Sequence, residues 1–443
     1  MEEIKLKSIE KFYEGAEIFI TGGTGFVGKV LIEKLLRSCP NIKTIYLLIR
    51  RKKGKNGEER IQELVTNNKL SDFVNKLHAI DGDVMEINLG ISNSDREKLK
   101  ACSVIFHAAA SVRFNDPLRK AILLNTRGTR ETCKLATELP NLKSFVHVST
   151  AYIEPRNLYV EEKVYPIHAN WRTYINYAEN VEEEILNFLT PKLTKFAPNT
   201  YTFTKHLAEH VCIDYMKEYN LPVIIYRPSI VTASEVEPVP GYLDNLNGPV
   251  GLIIAAQLGL YHVSVGNVSF ELNMIPVDIC VKGMIVASVK NAKQNDEVCE
   301  IEVINAASIK HLTVLVLMHA IKTFKQNSLK VIDVTSVTFT SCTAYAWMIR
   351  IFRQIIPSVI IDSLLKMTKN EPRLMKIQRL IFDAERNLKY FQYRKFKIPN
   401  HNFHDLNLNI PLNERKDFMV NEVSFNQLEL MGQVQEVIFL ILI

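Results

Sequence analysis

Three features of this 443-residue sequence predict a doubly wound parallel α/β sheet followed by a smaller, mainly helical C-terminal domain. Short apolar runs alternate with helical stretches through the first half, the pattern of βαβ units. Several runs, such as Ile45-Tyr-Leu-Leu-Ile49, are apolar without alternation, as a strand covered on both faces requires. A glycine-rich turn joins the first run to the first helix.

In order, strands are expected over 17–20, 44–49, 77–81, 103–107, 144–149 and 222–226, and helices over 28–38, 58–67, 117–139 and 202–219. An inserted stretch, 152–199, carries tyrosines, a Trp and several Pro where a substrate would approach the strand ends. From Val231 the pattern breaks into turns, which suggests a substrate-side lobe. The expected organisation is a sheet domain with that lobe over 12–290, a connecting region over 291–335 and a C-terminal domain over 336–443. Val334–Ile361 is apolar but interrupted by Arg350 and Arg353, so it reads as a buried helical hairpin or a membrane-surface element.

Composition narrows the function classes. With 47% apolar and 23% charged residues the chain is globular. A net charge of +6 without a basic stripe interleaved with aromatics argues against nucleic acid as a partner. The seven cysteines stand singly, which disfavours a disulfide framework or zinc ribbon and suits a reducing compartment. Met1-Glu-Glu-Ile-Lys5 has no signal-peptide character, so the catalytic part is expected to face the cytosol.

The turn comprises Thr21, Gly22, Gly23, Thr24, Gly25, Phe26, Val27 and Gly28, and its context makes it a dinucleotide site. Gly22 permits the tight turn, Gly25 lets backbone approach a pyrophosphate, and Gly28 lets helix pack on strand. The diphosphate would rest on free N–H groups at the helix start. The second strand ends in Arg50 and Arg51, with Lys52 beyond, where an NAD site would place a carboxylate. Guanidinium groups suit a 2′-phosphate, so the expected cofactor is NADPH. Asp83, followed by Val84, is placed to meet the adenine.

Carbonyl reduction needs a proton donor to the developing oxyanion. A tyrosine activated by a nearby lysine supplies one, and Tyr-x-x-x-Lys puts both on one helix face. The pattern occurs three times: Tyr159/Lys163, Tyr201/Lys205 and Tyr393/Lys397. Only Tyr201/Lys205 begins a capped helix that leads into a buried strand. A hydroxyl at a strand end should complete the set, Thr150 in preference to Ser149. An overlapping His206-Leu-Ala-Glu-His210 pattern matches some zinc peptidases, but a metal is not expected, since this helix should pack on the sheet. His107 and His147 read as satisfied core histidines.

These residues resemble the fatty acyl-CoA reductases, extended short-chain dehydrogenases, and most nearly the insect-type members. The resemblance rests on Phe19–Gly28, Ile45–Arg50, Phe106–Ala110, Val112–Phe114, His147–Tyr152, Asn199–Lys205, Arg227–Val231, Pro238–Gly241, Asp244-Asn245, Gly248-Pro249 and Ile275–Asp278. It implies NADPH-dependent reduction of a long-chain acyl-CoA, loss of CoA, and further reduction of the aldehyde to a fatty alcohol. It also implies Tyr201 as the acid, Lys205 as its orienter and ribose ligand, and Thr150 as the oxyanion's partner. The cofactor site would extend over Ala108, Ala109 and Asn125, and Pro228, Ser229 and Ile230 would line the nicotinamide.

In the C-terminal part, Ile355–Asp362 and Tyr390-Phe391 resemble the family's small domain. The usual Trp near Tyr390 is missing, and Gln427–Ile443 lacks the aromatic and basic ending. The alternatives are therefore a reductase that stops at the aldehyde, or a non-catalytic NADP-binding homologue with a defective C-terminal domain. A sugar-nucleotide epimerase or dehydratase on the same fold is disfavoured by the 152–199 insert and the C-terminal domain. A lipid substrate leads to an expectation of membrane association, at the endoplasmic reticulum rather than the peroxisome.

Overall fold

All six apolar runs become strands of one parallel sheet: β1 (Glu17–Thr21), β2 (Thr44–Ile49), β3 (Leu77–Asp81), β4 (Val104–His107), β5 (Ser144–Val148) and β6 (Val223–Pro228). A seventh, β7 (Glu302–Ala306), pairs in parallel with β6. Strand order is β7-β6-β5-β4-β1-β2-β3, so the chain reverses direction of growth between β1 and β4, where open α/β sheets bind ligands. The computed structural model describes residues 8–420 apart from 53, 68–70, 195–196, 246–247, 267–270, 293–300, 309–311, 314–336 and 393.

β7 lies in the stretch read as a connecting region, and it extends the sheet domain past residue 290. Ile304 and Ala306 are fully buried against β6, a constraint that only the sheet edge reveals. β1, β2, β4 and β6 are covered on both faces, which is why their sequences do not alternate.

Helices α1 (Phe26–Ser38) and α2 (Gly57–Asn67) follow the first two strands. The expected helix over 117–139 is present as Leu118–Ala121, a π turn Ile122–Arg127, and Gly128–Thr137; together these form α3. The insert contributes two short helices, Trp171–Asn180 and Glu183–Leu193. Helix α4 (Thr200–Tyr219) is capped by the Asn199 side chain, which accepts from the Thr202 N–H at 2.9 Å, and it ends at Asn220 in the left-handed region. Helices α5 (Pro249–Gln257) and α6 (Val277–Asn291) complete the sheet domain and its lobe.

The C-terminal region begins with a helical hairpin, and the short helices that follow over 401–418 return to pack on β7 and α6 of the sheet domain. α7 (Thr343–Arg350) continues through a π turn, Ile351–Ile355, into α8 (Ile356–Met367), and α9 (Leu374–Gln392) returns antiparallel to pack on α5. Among the described residues no helix is long and apolar enough to cross a membrane.

Candidate active site

The end of β1 shows why its glycines are required. Gly22 has φ +77°, and a Cβ there would lie 2.7 Å from the backbone of Ala108 and Ala109 at the end of β4. A Cβ on Gly28 would come within 2.3 Å of the Gly22 carbonyl oxygen, so α1 could not start beside the turn. At Gly25, by contrast, the nearest atom is the Gly22 oxygen at 3.2 Å, leaving the outer side clear for a ligand. With Gly25 as N-cap of α1 and no side chain capping the first N–H groups, the cradle fits a dinucleotide diphosphate.

Thr21 does not turn toward that cradle. Its buried hydroxyl bonds His107 Nδ1 at 2.8 Å and accepts from the Ala109 N–H at 3.2 Å, tying β1 to β4 and fixing the half-buried Ala108 and Ala109 opposite the glycines. Phe26 is buried and contacts the Tyr242 ring at 6.1 Å, while Val27 packs against the core. A loop from the lobe crosses α1. Lys29 pairs with Asp244 at 2.5 Å, and Glu237 pairs with Lys34 at 2.9 Å and Arg37 at 3.1 Å. Asp278 holds the base of this loop by accepting the N–H groups of Glu235, Val236 and Glu237.

At the adenosine end Arg50 lies 3.5 Å from Asp83, beside the buried Val84. Arg51 instead turns to Asp81, at 3.0 Å. A further guanidinium joins Arg50: Arg60 on α2 donates to the Arg50 carbonyl at 2.5 Å and to the Thr24 hydroxyl at 3.5 Å, bridging the glycine turn and the end of β2. Arg60 was not read from the sequence. Its one available signal was its place, a basic residue one turn into the helix after the Arg pair.

The hydroxyls and the lysine come from α4 and the end of β5. Thr150 is buried and hydrogen-bonds the partly buried Tyr201 phenol. Ser149, the reserve choice, faces the Glu209 carboxylate instead. Burial pushes the Tyr201 phenol up to about 12, and the Thr150 hydrogen bond works in the opposite direction. The expectation that Lys205 draws this phenol down is not met. Its ammonium donates to the Val148 carbonyl at 2.5 Å, and burial lowers it to about 8. A phenol that keeps its proton to about 12 is still a donor across the ordinary pH range.

Behind Lys205 lie two neutral histidines, stacked with ring centres 5.5 Å apart. Burial lowers His107 to about 3 and holds His147 well below its usual range; the Lys205 charge adds to both. His107 is satisfied by Thr21 and Thr129, as a core histidine should be. His147 is not: neither ring nitrogen has a hydrogen-bond partner among the described residues. The His206 and His210 imidazoles both donate from Nε2 to the Tyr165 carbonyl, at 3.1 and 2.9 Å. Glu209 is committed to Arg227, so the peptidase-like pattern is used for packing.

The π turn in α3 places Asn125, fully buried, between the loop after β4 and α4. Its side chain accepts the Ser111 N–H at 2.9 Å and donates to Thr204 at 2.9 Å. At the end of β6, the Pro228 carbonyl accepts the Ala151 N–H at 2.9 Å. Ser229 and Ile230 N–H groups bond Ala306 and Asn273, which leaves a buried Ser229 hydroxyl without a partner among the described residues.

An apolar wall adjoins the phenol. Phe114 stacks on Tyr201 at 5.7 Å and meets Phe391 of α9 at 5.8 Å, and Tyr152 sits edge-on to Phe391. Tyr159, from the first rival Tyr-x-x-x-Lys, is half exposed, and Tyr393 of the other lies outside the described residues.

A family profile for NAD binding, described as male sterility protein, matches residues 20–284. A second, carrying the same description, matches 353–433. The chain is 38% identical over 400 residues to Fatty acyl-CoA reductase 1 of Gallus gallus, covering 87% of this chain and 76% of that protein. The chain belongs to the fatty acyl-CoA reductase family. Other members include Fatty acyl-CoA reductase 1 of Xenopus laevis, 36% identical over 93% of this chain and 81% of that protein. The Drosophila melanogaster Fatty acyl-CoA reductase wat is 34% identical, with 90% and 78% coverage, so the likeness is spread over vertebrate and insect reductases. The match over 353–433 shows that the divergent C-terminal region is still recognisable as the family's own.

Among solved structures, the terminal R domain of the myxalamid PKS-NRPS pathway superposes with a TM-score of 0.64 at 17% identity, covering 96% of this chain and 90% of that one. A thiolation-reductase di-domain from an archaeal non-ribosomal peptide synthetase gives 0.58 at 15% identity, with 98% and 78% coverage. Both show the fold. The glycine cradle and the NAD-binding match together make this a nicotinamide dinucleotide site.

Proposed function

We propose that this chain reduces long-chain fatty acyl-CoA with NADPH, releases CoA, and carries the bound aldehyde on to the fatty alcohol. The observation that carries this reading is a protonated Tyr201, hydrogen-bonded to Thr150, with its ring against an apolar wall that continues into the C-terminal hairpin.

When bound, the nicotinamide supplies the hydride for both reductions. The chain's own residues do the rest. Tyr201 donates its proton to the oxygen that gains charge, first at the thioester carbonyl and then at the aldehyde. Thr150 hydrogen-bonds that oxygen and the phenol. Lys205, held by the Val148 carbonyl at the strand end, orients the ribose and lends positive charge. Arg50 and Arg60 meet the 2′-phosphate, which favours NADPH over NADH, and Asp83 and Val84 border the adenine. The apolar groups Phe114, Phe391 and Tyr152 hold the first carbons of the acyl chain and keep water from the intermediate. The reading also expects the enzyme at the cytosolic face of a membrane, the endoplasmic reticulum before the peroxisome.

The test is purified protein with NADPH and acyl-CoAs of graded length, following nicotinamide absorbance and free CoA thiol together. Two cofactors oxidised per CoA released, with alcohol recovered, supports the reading. One per CoA, with aldehyde recovered, replaces it by the shorter reaction. NADPH binding without turnover at any chain length would make the chain a non-catalytic homologue.

A further inference from the structure

The rod formed by α7, the π turn and α8 has its polarity reversed. After Ala346, the residues buried at four-residue spacing along it are polar: Arg350, Gln354, Ser358 and Asp362. Their polar groups are used inward. Arg350 pairs with Glu385 of α9, and Gln354 donates to Gln378 of α9 at 3.0 Å. Asp362 accepts the N–H groups of Arg373, Leu374 and Met375 at 2.8–3.0 Å, capping α9. The outward positions are large and apolar: Phe352 is 65% exposed, Ile360 55%, Leu364 55% and Met367 81%. Leu380 of α9 joins them at 61%. A helix facing water shows the opposite arrangement, polar outward and apolar inward.

An exposed apolar face of this extent needs an occupant, and the charges around it say which. Arg353, Lys366, Lys369, Arg373, Lys376 and Arg379 are all exposed on the same hairpin, while the exposed acids there are Glu371 and Asp383. A second copy of this chain seated on the face would bring two such basic rims together. An anionic lipid surface neutralises them and takes up the apolar side chains at the boundary of headgroups and acyl chains.

We propose that the outer face of the α7–α9 hairpin is a membrane seat, which lies in the plane of an anionic bilayer without crossing it. The seat deepens the membrane association put forward above and stands on the hairpin's own polarity. It also has a direct line to the site, because the far end of α9 carries Phe391 against Phe114 and so against Tyr201.

The experiment uses full-length protein and vesicles of phosphatidylcholine, alone or with phosphatidylserine, read by flotation and by tryptophan quenching with brominated lipid. The chain has two tryptophans, and Trp171 is buried with its indole N–H on Asp214. Trp347 is 42% exposed on the rod, so quenching reports the hairpin, and Trp347→Phe should remove it. Wild type should float with phosphatidylserine vesicles, and Phe352→Asp with Ile360→Asp should lower that partition more than about tenfold. Lys366→Glu with Arg373→Glu should weaken binding to anionic vesicles only.

Three results would overturn the seat: no flotation by wild type; flotation that survives the hairpin variant but is lost on Phe439→Asp with Leu440→Asp; or a hairpin variant whose only change is dissociation of a dimer. Melting temperature and turnover of a water-soluble medium-chain acyl-CoA, measured in parallel, separate this failure from failure of the reductase reading. A floating chain without turnover keeps the seat and removes the reaction.

Discussion

At Tyr201 two effects compete, and burial exceeds the hydrogen bond from Thr150, so the phenol keeps its proton to about 12. Tyr201→Phe keeps the ring that stacks on Phe114 and removes the hydroxyl, and with it both the proton and the hydrogen bond to Thr150. We expect kcat to fall about 10²–10⁴-fold, the usual contribution of a positioned acid, with NADPH affinity unchanged by titration. Lys205 sets the pH response. Its folded pKa, about 8, lies below the ordinary lysine value, so the ammonium is present below that pH and absent above it. NADPH affinity of the free protein should weaken as pH rises through about 8, and Lys205→Met should abolish this alkaline limb. At the adenosine end, Arg50→Glu or Arg60→Ala should raise the Kd for NADPH by roughly 10–100-fold, the worth of a charged hydrogen bond, and that for NADH far less. Equal losses for both cofactors would remove the 2′-phosphate assignment.

At the scale of elements, α4 is the part that must not move. Tyr201, Lys205 and Glu209 recur at every fourth residue and so share one face. Glu209 fastens that face to β6 through Arg227, with two bonds of 2.8 and 2.7 Å and both groups fully buried. Burial alone would raise the Glu209 pKa, but the guanidinium holds it below the usual range. Removing one partner leaves the other charged and buried. Glu209→Ala should therefore cost roughly 3–5 kcal/mol, measured by urea unfolding, whereas loss of an exposed pair such as Lys55–Glu63 should be near neutral. The π turn in α3 is the second fixed point, since one extra residue in the turn brings Asn125 to both Ser111 and Thr204.

At the scale of the molecule, the site lies where β1 and β4 part, and the C-terminal hairpin closes one side of it through Phe391. The glycine turn, the six strands and the Tyr201/Lys205 pair were legible in the residues themselves. Each depends on local rules: a glycine at positive φ, an apolar run covered on both faces, a four-residue helical spacing. Arg60, Phe114 and the inward polar stripe of α8 were not legible, because each acquires its meaning from a partner distant in sequence. The same holds for Thr21, whose position in the glycine turn suggested a cofactor contact but whose hydroxyl is used by His107.

Neighbouring residues alone dictate a parallel dinucleotide-binding sheet with a Tyr–Lys pair beside it, since backbone sterics and periodicity act along the chain. Which hydroxyl faces the phenol, which second guanidinium reaches Arg50, and that the apolar stretch before Ile361 turns its polar side inward are all set by packing between distant segments. Those outcomes depend on which side chains are brought together across the sheet and the hairpin, where burial and charge act through space rather than along the chain.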